Sequence, residues 1–435
     1  MQTGLADFIR NTPEGDAADT LLRKCVHCGF CNATCPTYQL LGDELDGPRG
    51  RIYLMKQMLE GEVPADTVLP HLDRCLTCRN CESTCPSGVR YSELVDIGRA
   101  VAERRAKRPL AQRAKRWLLR EGLSRPAVFN TALALGRLAK PLLPGSLAAK
   151  VADARTAGAW PPVRHQRRML VLAGCVQPAL MPDVNAAAAR VLDLLGISLV
   201  EIARAGCCGA LRFHLNDQDG GRQDMRALID AWWPAIERGD VEAIVMTASG
   251  CGSTVREYGH LLADDPQYAE RAAKVAAMTR DLSEILAAER VQIEGLFAAG
   301  TTARQPLAYH PPCSLQHGQQ VRGHAEALLR AAGYDLKPVA DSHLCCGSAG
   351  SYSLLQPALA TTLRNNKLSA LQAEQPAGIA SANVGCIAHL QTGTTTPVRH
   401  WIEWLDQALT QGLLPLNRGP RANPEASGSR RADAG

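Results

Sequence analysis

The stretches Cys25-Val-His-Cys28-Gly-Phe-Cys31-Asn-Ala-Thr-Cys35-Pro36 and Cys75-Leu-Thr-Cys78-Arg-Asn-Cys81-Glu-Ser-Thr-Cys85-Pro86 decide how the rest of the chain is read. Both follow the pattern C-x2-C-x2-C-x3-C-P. A cubane cluster of iron and sulfide needs four thiolates, and three cysteines spaced by two residues let one short loop wrap three of its corners. The fourth cysteine, the one before proline, ligates the other cluster in two-cluster ferredoxins. The spacing therefore assigns Cys25, Cys28, Cys31 and Cys85 to one [4Fe–4S] cluster, and Cys75, Cys78, Cys81 and Cys35 to a second. Zinc fits poorly, because its structural sites draw on two separated ligand pairs. Disulfides fit worse still, since no secretory pattern precedes these cysteines. Two clusters that exchange ligands lie close together, so the unit is built to pass single electrons.

The chain has 435 residues, 46% of them apolar, enough for several domains with a core in each. Sixteen cysteines kept reduced for clusters fit a cytoplasmic setting. Residues 1–20 carry Asp7, Glu14, Asp16 and Asp19 and lack a basic start followed by an apolar run, so no signal peptide is expected. No stretch of eighteen apolar residues is free of charge, so no spanning helix is expected. The net charge of +5 is unevenly placed: residues 99–150 hold thirteen Lys or Arg against Glu103 and Glu121, a net of +11 that leaves −6 for the remainder. Such a run reads as a solvated helical face, or as a contact with an acidic partner or anionic lipid. The second choice would seat the protein peripherally on the inner face of the cytoplasmic membrane. Aromatics are only 4% and form no stacking platform, which argues against nucleic acid as a partner.

In chain order, a helix over 17–23 leads into Cys25, and Gly47-Pro48-Arg49-Gly50-Arg51 reads as a turn opening a helix over 52–59. Residues 1–98 are thus expected to form a mainly helical two-cluster domain, its last helix starting at Ser92. A basic helical linker, broken by Pro109, Pro126, Pro141 and Pro144, spans 99–162. An internal repeat follows. Cys175, Cys207-Cys208 and Cys251 recur as Cys313, Cys345-Cys346 and Cys386, at offsets of 138, 138 and 135. Each half alternates strand and helix, with three strands expected per half, which predicts an α/β unit with a parallel sheet over 163–300 and again over 301–416. Residues 417–435 read as a disordered tail. The fold class is α+β multidomain.

The repeat cysteines fall at strand-to-helix turns, where open α/β sheets place ligands. The Gly after each Cys pair lets backbone N–H groups approach sulfur. The two halves are expected to face one shared, cysteine-lined cleft. These eight cysteines read either as ligands of a further cluster or as thiols retained around that cleft. His310, His317 and His343 lie near them and read as hydrogen-bonded structural residues.

Several longer stretches carry a resemblance: residues 38–51, His71-Leu-Asp-Arg-Cys-Leu-Thr-Cys-Arg-Asn-Cys81, Asp230-Ala-Trp-Trp-Pro-Ala-Ile-Glu237, Ser342-His-Leu-Cys-Cys-Gly-Ser-Ala-Gly350 and Val398-Arg-His-Trp-Ile-Glu403. With the cysteine motifs they make the chain resemble the iron–sulfur subunits that join a two-cluster ferredoxin to two cysteine-rich CCG domains. Within that group it is most similar, over nearly its full length, to those of glycolate oxidase (glycolate dehydrogenase). The resemblance implies flavin-binding dehydrogenase subunits as partners, oxidation of glycolate to glyoxylate on them, and electrons passed onward to a quinone. Flavin is expected only on the partners and no catalytic residue in this chain, which has no G-x-G-x-x-G after a strand and no P-loop. The alternatives are the iron–sulfur subunit of a lactate or glycerol-3-phosphate system, and a heterodisulfide-reductase-like enzyme. Heterodisulfide reductases end their CCG domains in C-x2-C, whereas Thr254 and His389 stand at the second position here. That puts an extra cluster in doubt and makes His389 a candidate substitute ligand.

Overall fold

The computed structural model describes residues 1–142, 144, 151–297 and 304–412. The tail expected over 417–435 lies outside the described residues. A mainly helical N-terminal part is followed by two four-stranded parallel sheets with helices, as the α+β reading requires.

The N-terminal part comprises α1 (Pro13–Lys24), α2 (Phe30–Ala33), α3 (Pro36–Leu41), α4 (Pro48–Leu59), α5 (Ala65–Asp73), α6 (Asn80–Thr84) and α7 (Tyr91–Arg105). Helix α1 starts earlier than its apolar pattern indicates, because the Thr12 hydroxyl accepts from the Gly15 N–H and Pro13 suits the first helical position. Leu22, Met55, Leu59, Leu72 and Leu94 meet in a dry core beneath the two cysteine loops. Over that core lies a buried carboxylate, Asp46. It accepts from Arg74 at 2.7 Å and from the His71 ring at 3.0 Å, and it faces the buried Arg51 guanidinium at 3.5 Å. Arg51 in turn donates to the His71 carbonyl and the Thr37 hydroxyl, tying α4 to the segments that flank both loops. Gly50 permits this closeness, since a Cβ there would lie 2.0 Å from the Glu44 carbonyl oxygen.

Helices α8 (Leu110–Ser124) and α9 (Pro126–Ala139) pack on each other as a hairpin within the stretch read as a basic helical linker. Its charge is used differently from what the run of basic residues implies. Arg108 and Arg116 are buried against the Asp73 carboxylate, at 2.7 and 2.8 Å, and Arg108 also bonds Glu103. Arg104 pairs with Glu14, and Arg120 with Glu121 and Asp217. Part of the +11 run is therefore internal mortar rather than free surface.

The two repeats carry β1 (Arg167–Val171), β2 (Ile197–Glu201), β3 (Ala243–Met246) and β4 (Thr279–Asp281), then β5 (Arg304–His310), β6 (Tyr334–Lys337), β7 (Gly378–Ser381) and β8 (Val398–His400). Sheet orders β2-β1-β3-β4 and β6-β5-β7-β8 match, and every pairing is parallel. Three strands per half were expected; β4 and β8 are three residues long, too short for alternation to register. The halves share one core, closed by the helices Asp183–Leu194 and Trp401–Gly412 and by Arg190 donating to Asp406 at 2.7 Å. The Ser249 N–H bonds the Ala382 carbonyl, and the buried His400 ring bonds the Thr247 carbonyl.

Replacing Asp73 by Ala should remove the direct carboxylate partner of Arg116 and leave Arg108 paired with Glu103 alone, at a cost of about 3 kcal/mol. A fall in the thermal unfolding midpoint would check this. Burial pushes the Asp73 carboxyl up, but the two arginines outweigh it and hold it below 3.8. Its contribution is thus present above pH 4 and is lost as pH falls through the folded value.

Candidate metal centres

Each cysteine loop leaves a helix and turns back on itself through two left-handed residues. In the first loop these are His27 and Gly29, at φ 57° and 84°; in the second they are Thr77 and Arg79, at 52° and 61°. The matching twist points three sulfurs of each loop inward. Short helices α2 and α6 then carry the chain to Cys35 and Cys85. Cys85 lines one cavity with Cys25, Cys28 and Cys31, and Cys35 lines a second with Cys75, Cys78 and Cys81. Cys81 borders both, so the cavities adjoin. The structure thus brings together the two crossed sets that the motif spacing pairs, each in a sulfur-rich, largely apolar space that fits a cubane.

Burial raises the Cys25 thiol, takes Cys31 to about 11, and lifts Cys78 and Cys81 well above the ordinary range, neighbouring sulfurs adding to it. Cys75 goes the other way: burial opposes ionisation, but Arg51, Arg99, the Thr77 N–H and the Tyr91 hydroxyl outweigh it. Thiols this dry give up protons only to a cation that replaces them, so metal loading and proton release are coupled. Arg99 also holds the second loop in shape by donating to the Leu72 and Cys75 carbonyls and the Thr77 hydroxyl.

The loops differ in surroundings. Cys28 is exposed between Val26 and Phe30, which are 68% and 62% exposed, with Tyr53 alongside. The second loop is covered by the repeats. Arg79 donates to Glu257, the Asn80 amide to the His343 carbonyl, and Ser83 pairs with the His317 ring at 3.0 Å.

In the first repeat the sulfurs run Cys175, Cys207, Cys208, Cys251. The Cys175 and Cys208 thiols, the Gly209 N–H and Arg212 hold Cys207 well below its ordinary value against the effect of burial. In the second repeat they run Cys313, Cys345, Cys346, Cys386, starting with a Cys313–Cys345 separation of 3.9 Å. Gly209 and Gly347, at φ 82° and 86°, give their N–H groups to Cys207 and Cys345 at 3.4 Å. This is the backbone approach expected of the Gly after each pair. The two sets approach each other through Asn383, which accepts from the Gly250 N–H and donates to Cys386 Sγ, each at 3.4 Å, while Cys345 also neighbours Cys78 of the second cluster loop.

His389 was the candidate substitute ligand. Its Nε2 pairs with the Ala360 carbonyl at 3.2 Å, and it is His310 that lies beside Cys346 and Cys386. His317 is the hydrogen-bonded structural residue expected, between Ser83 and the His343 carbonyl. Sequence reasoning passed over Arg51, Arg99, the Arg79–Glu257 pair and the true surroundings of His310, which it read as hydrogen-bonded although neither ring nitrogen has a partner among the described residues. Only His310 left a signal, being the imidazole at the place where the first repeat has Leu172.

Comparison with known proteins agrees with this layout. Residues 21–89 match the 4Fe-4S dicluster domain, and 169–256 and 307–391 match the cysteine-rich domain CCG. The fold and the sulfur sets define an iron–sulfur electron-transfer protein. The glycolate oxidase iron–sulfur subunit of Escherichia coli is 53% identical over 94% of this chain and 99% of its own length. A probable glycolate oxidase iron–sulfur subunit of Bacillus subtilis is 30% identical over 89% and 91%. The chain belongs to the family of glycolate oxidase iron–sulfur subunits. A lactate utilization protein A of Shouchella clausii is 24% identical over only 52% of this chain.

Gly29→Ala places a side chain at φ 84° and 2.7 Å from an Arg49 nitrogen. The left-handed conformation costs a side chain about 1–2 kcal/mol and the end of Arg49 can move aside, so the variant should lower the thermal unfolding midpoint while keeping its iron; Arg79→Gly, which loses the Glu257 ion pair, should also keep its iron, and a melting curve with an iron assay of both variants checks this.

Proposed function

We propose that Cys25, Cys28, Cys31 and Cys85 hold one [4Fe–4S] cluster and Cys75, Cys78, Cys81 and Cys35 the other. The chain then carries electrons from a flavin-bearing dehydrogenase subunit that oxidises glycolate to glyoxylate, delivering them to a quinone-type acceptor. The observation that carries the choice of substrate is the likeness to the Escherichia coli subunit along almost the whole of both chains. Within the complex, the clusters supply the one-electron chemistry. This chain's own residues hold the sulfurs, keep water from the inner cavity through Leu76 and Tyr352, and offset thiolate charge through Arg51 and Arg99. The exposed Cys28 edge, framed by Val26, Phe30 and Tyr53, suits it to be the end that meets a redox partner. The two-cluster part over 1–98, the linker over 99–162 and the repeats over 163–300 and 301–416 form the working units of this reading.

Protein isolated without oxygen should contain at least about eight iron and eight labile sulfide per chain. Cys78→Ser should leave substrate able to bleach the partner's flavin while electron flow to a quinone or dye falls sharply. Loss of flavin reduction in an intact complex would contradict the wire.

The same reading gives the complex a seat on the cytoplasmic face of the membrane. No helix among the described residues is long and apolar enough to cross one. The α8–α9 hairpin instead exposes Leu110, Trp117, Leu118, Leu135 and Leu138 beside the exposed Arg113 and Lys115. Basic side chains near an anionic surface contribute about 1 kcal/mol each, and the apolar residues add burial in the interface. Trp117→Ser combined with Leu118→Ser should release the protein from anionic vesicles in a sedimentation assay, and salt should weaken wild-type binding. Arg108 and Arg116 are unsuitable targets because they are structural partners of Asp73.

A further inference from the structure

His310 ends β5 inside the second repeat and is 1% exposed. Neither ring nitrogen has a hydrogen-bond partner among the described residues. A neutral imidazole carries one donor and one acceptor, and leaving both unmet in a dry interior is costly. The ring is not surrounded by hydrocarbon alone. One of its nitrogens and the sulfurs of Cys346 and Cys386 all lie within 4.8 Å of one another, and all three residues are buried. Cys345 adjoins Cys346, and Cys313 follows at 3.9 Å from Cys345.

The corresponding place in the first repeat shows what a purely structural residue looks like. Counting back by the repeat offset of 138 gives Leu172, which packs into the apolar core. A leucine there keeps the strand end and the fold. The second repeat has exchanged it for an imidazole facing two thiols, which packing does not require.

We propose that the second repeat holds a thiophilic transition-metal ion, zinc or ferrous iron, on the His310 imidazole and the Cys346 and Cys386 thiolates. The proposal deepens the reading of this chain as an iron–sulfur protein without depending on which substrate the complex oxidises. The donor set suits the ion: two thiolates and a neutral imidazole cancel a divalent charge, and soft sulfur with imidazole selects zinc or iron over magnesium or calcium. The compactness of the group also suits a single ion. Among the described residues, no three cysteines of the ferredoxin loops close to within 4.8 Å, as sulfurs around a wide cubane should not, whereas this trio does. Lys367 stands over the same sulfurs, anchored at 2.6 Å to the Asp341 carbonyl, and its charge answers a further thiolate at Cys345.

The test is a metal and sulfide inventory on anaerobically purified full-length protein, wild type and His310→Leu, with X-ray absorption at the edge of whichever extra metal is found. Leu is the residue the first repeat already tolerates at this place. Wild type should hold one zinc or iron beyond the metal accounted for by labile sulfide, with nitrogen and sulfur in its ligand shell. His310→Leu should lose that ion while keeping the iron and sulfide of the two cubanes. Absence of the extra ion in wild type would overturn the proposal, as would its full retention in His310→Leu or a ligand shell without nitrogen. Iron and sulfide rising together, by about four each, would overturn it in favour of a cluster. Cys386→Ser gives an independent check and should lose the same ion.

Discussion

Each cysteine loop in this protein shares its cavity with a sulfur from the other loop. Cys85 lines the cavity of Cys25, Cys28 and Cys31, and Cys35 lines that of Cys75, Cys78 and Cys81. This exchange fixes the two cavities back to back, and much else follows from it. Helices α2 and α6 must be short to deliver the crossing sulfurs, and the prolines after Cys35 and Cys85 turn the chain away. The Asp46 cluster with Arg51, Arg74 and His71 must lie beneath, because the crossing segments have to be held from the core side.

Side chains of the second loop set the orientation of the two-cluster part on the repeats. Among the described residues it is the second loop that is clamped, by Arg79 to Glu257, Asn80 to His343 and Ser83 to His317. Arg79 adopts the left-handed conformation that glycine takes at the equivalent place in the first loop. The ion pair with Glu257 supplies the compensation for that backbone conformation. One loop is thereby left at the surface and the other is pressed against Cys313 and Cys345, which gives the molecule a polarity that two equivalent motifs do not possess.

The parts of this arrangement visible in the sequence were those carried by local spacing. Eight cysteines in two eleven-residue frames, and a cysteine pattern repeating at an offset of 138, required no knowledge of the fold. What stayed hidden depends on partners far apart in the chain. The basic stretch gave no sign that Arg108 and Arg116 close on Asp73, because charge composition carries no information about which acid is near. Strands β4 and β8 are three residues each and leave no alternation to read. The approach of the two thiol sets through Asn383 depends on how the halves dock. His310 was legible in principle, since superposing the repeats sets it against Leu172; a single histidine near cysteines was too common an occurrence to be singled out.

In this reading the two sulfur sets hold neighbouring cubanes wired through one protein unit. Electron paramagnetic resonance of the fully reduced, anaerobically prepared chain tests it most directly. Two adjacent reduced cubanes should give a spectrum broadened and split by magnetic interaction, which collapses to the simple signal of one cluster when only one is reduced. Two sharp signals that merely add, unchanged between half and full reduction, would contradict it.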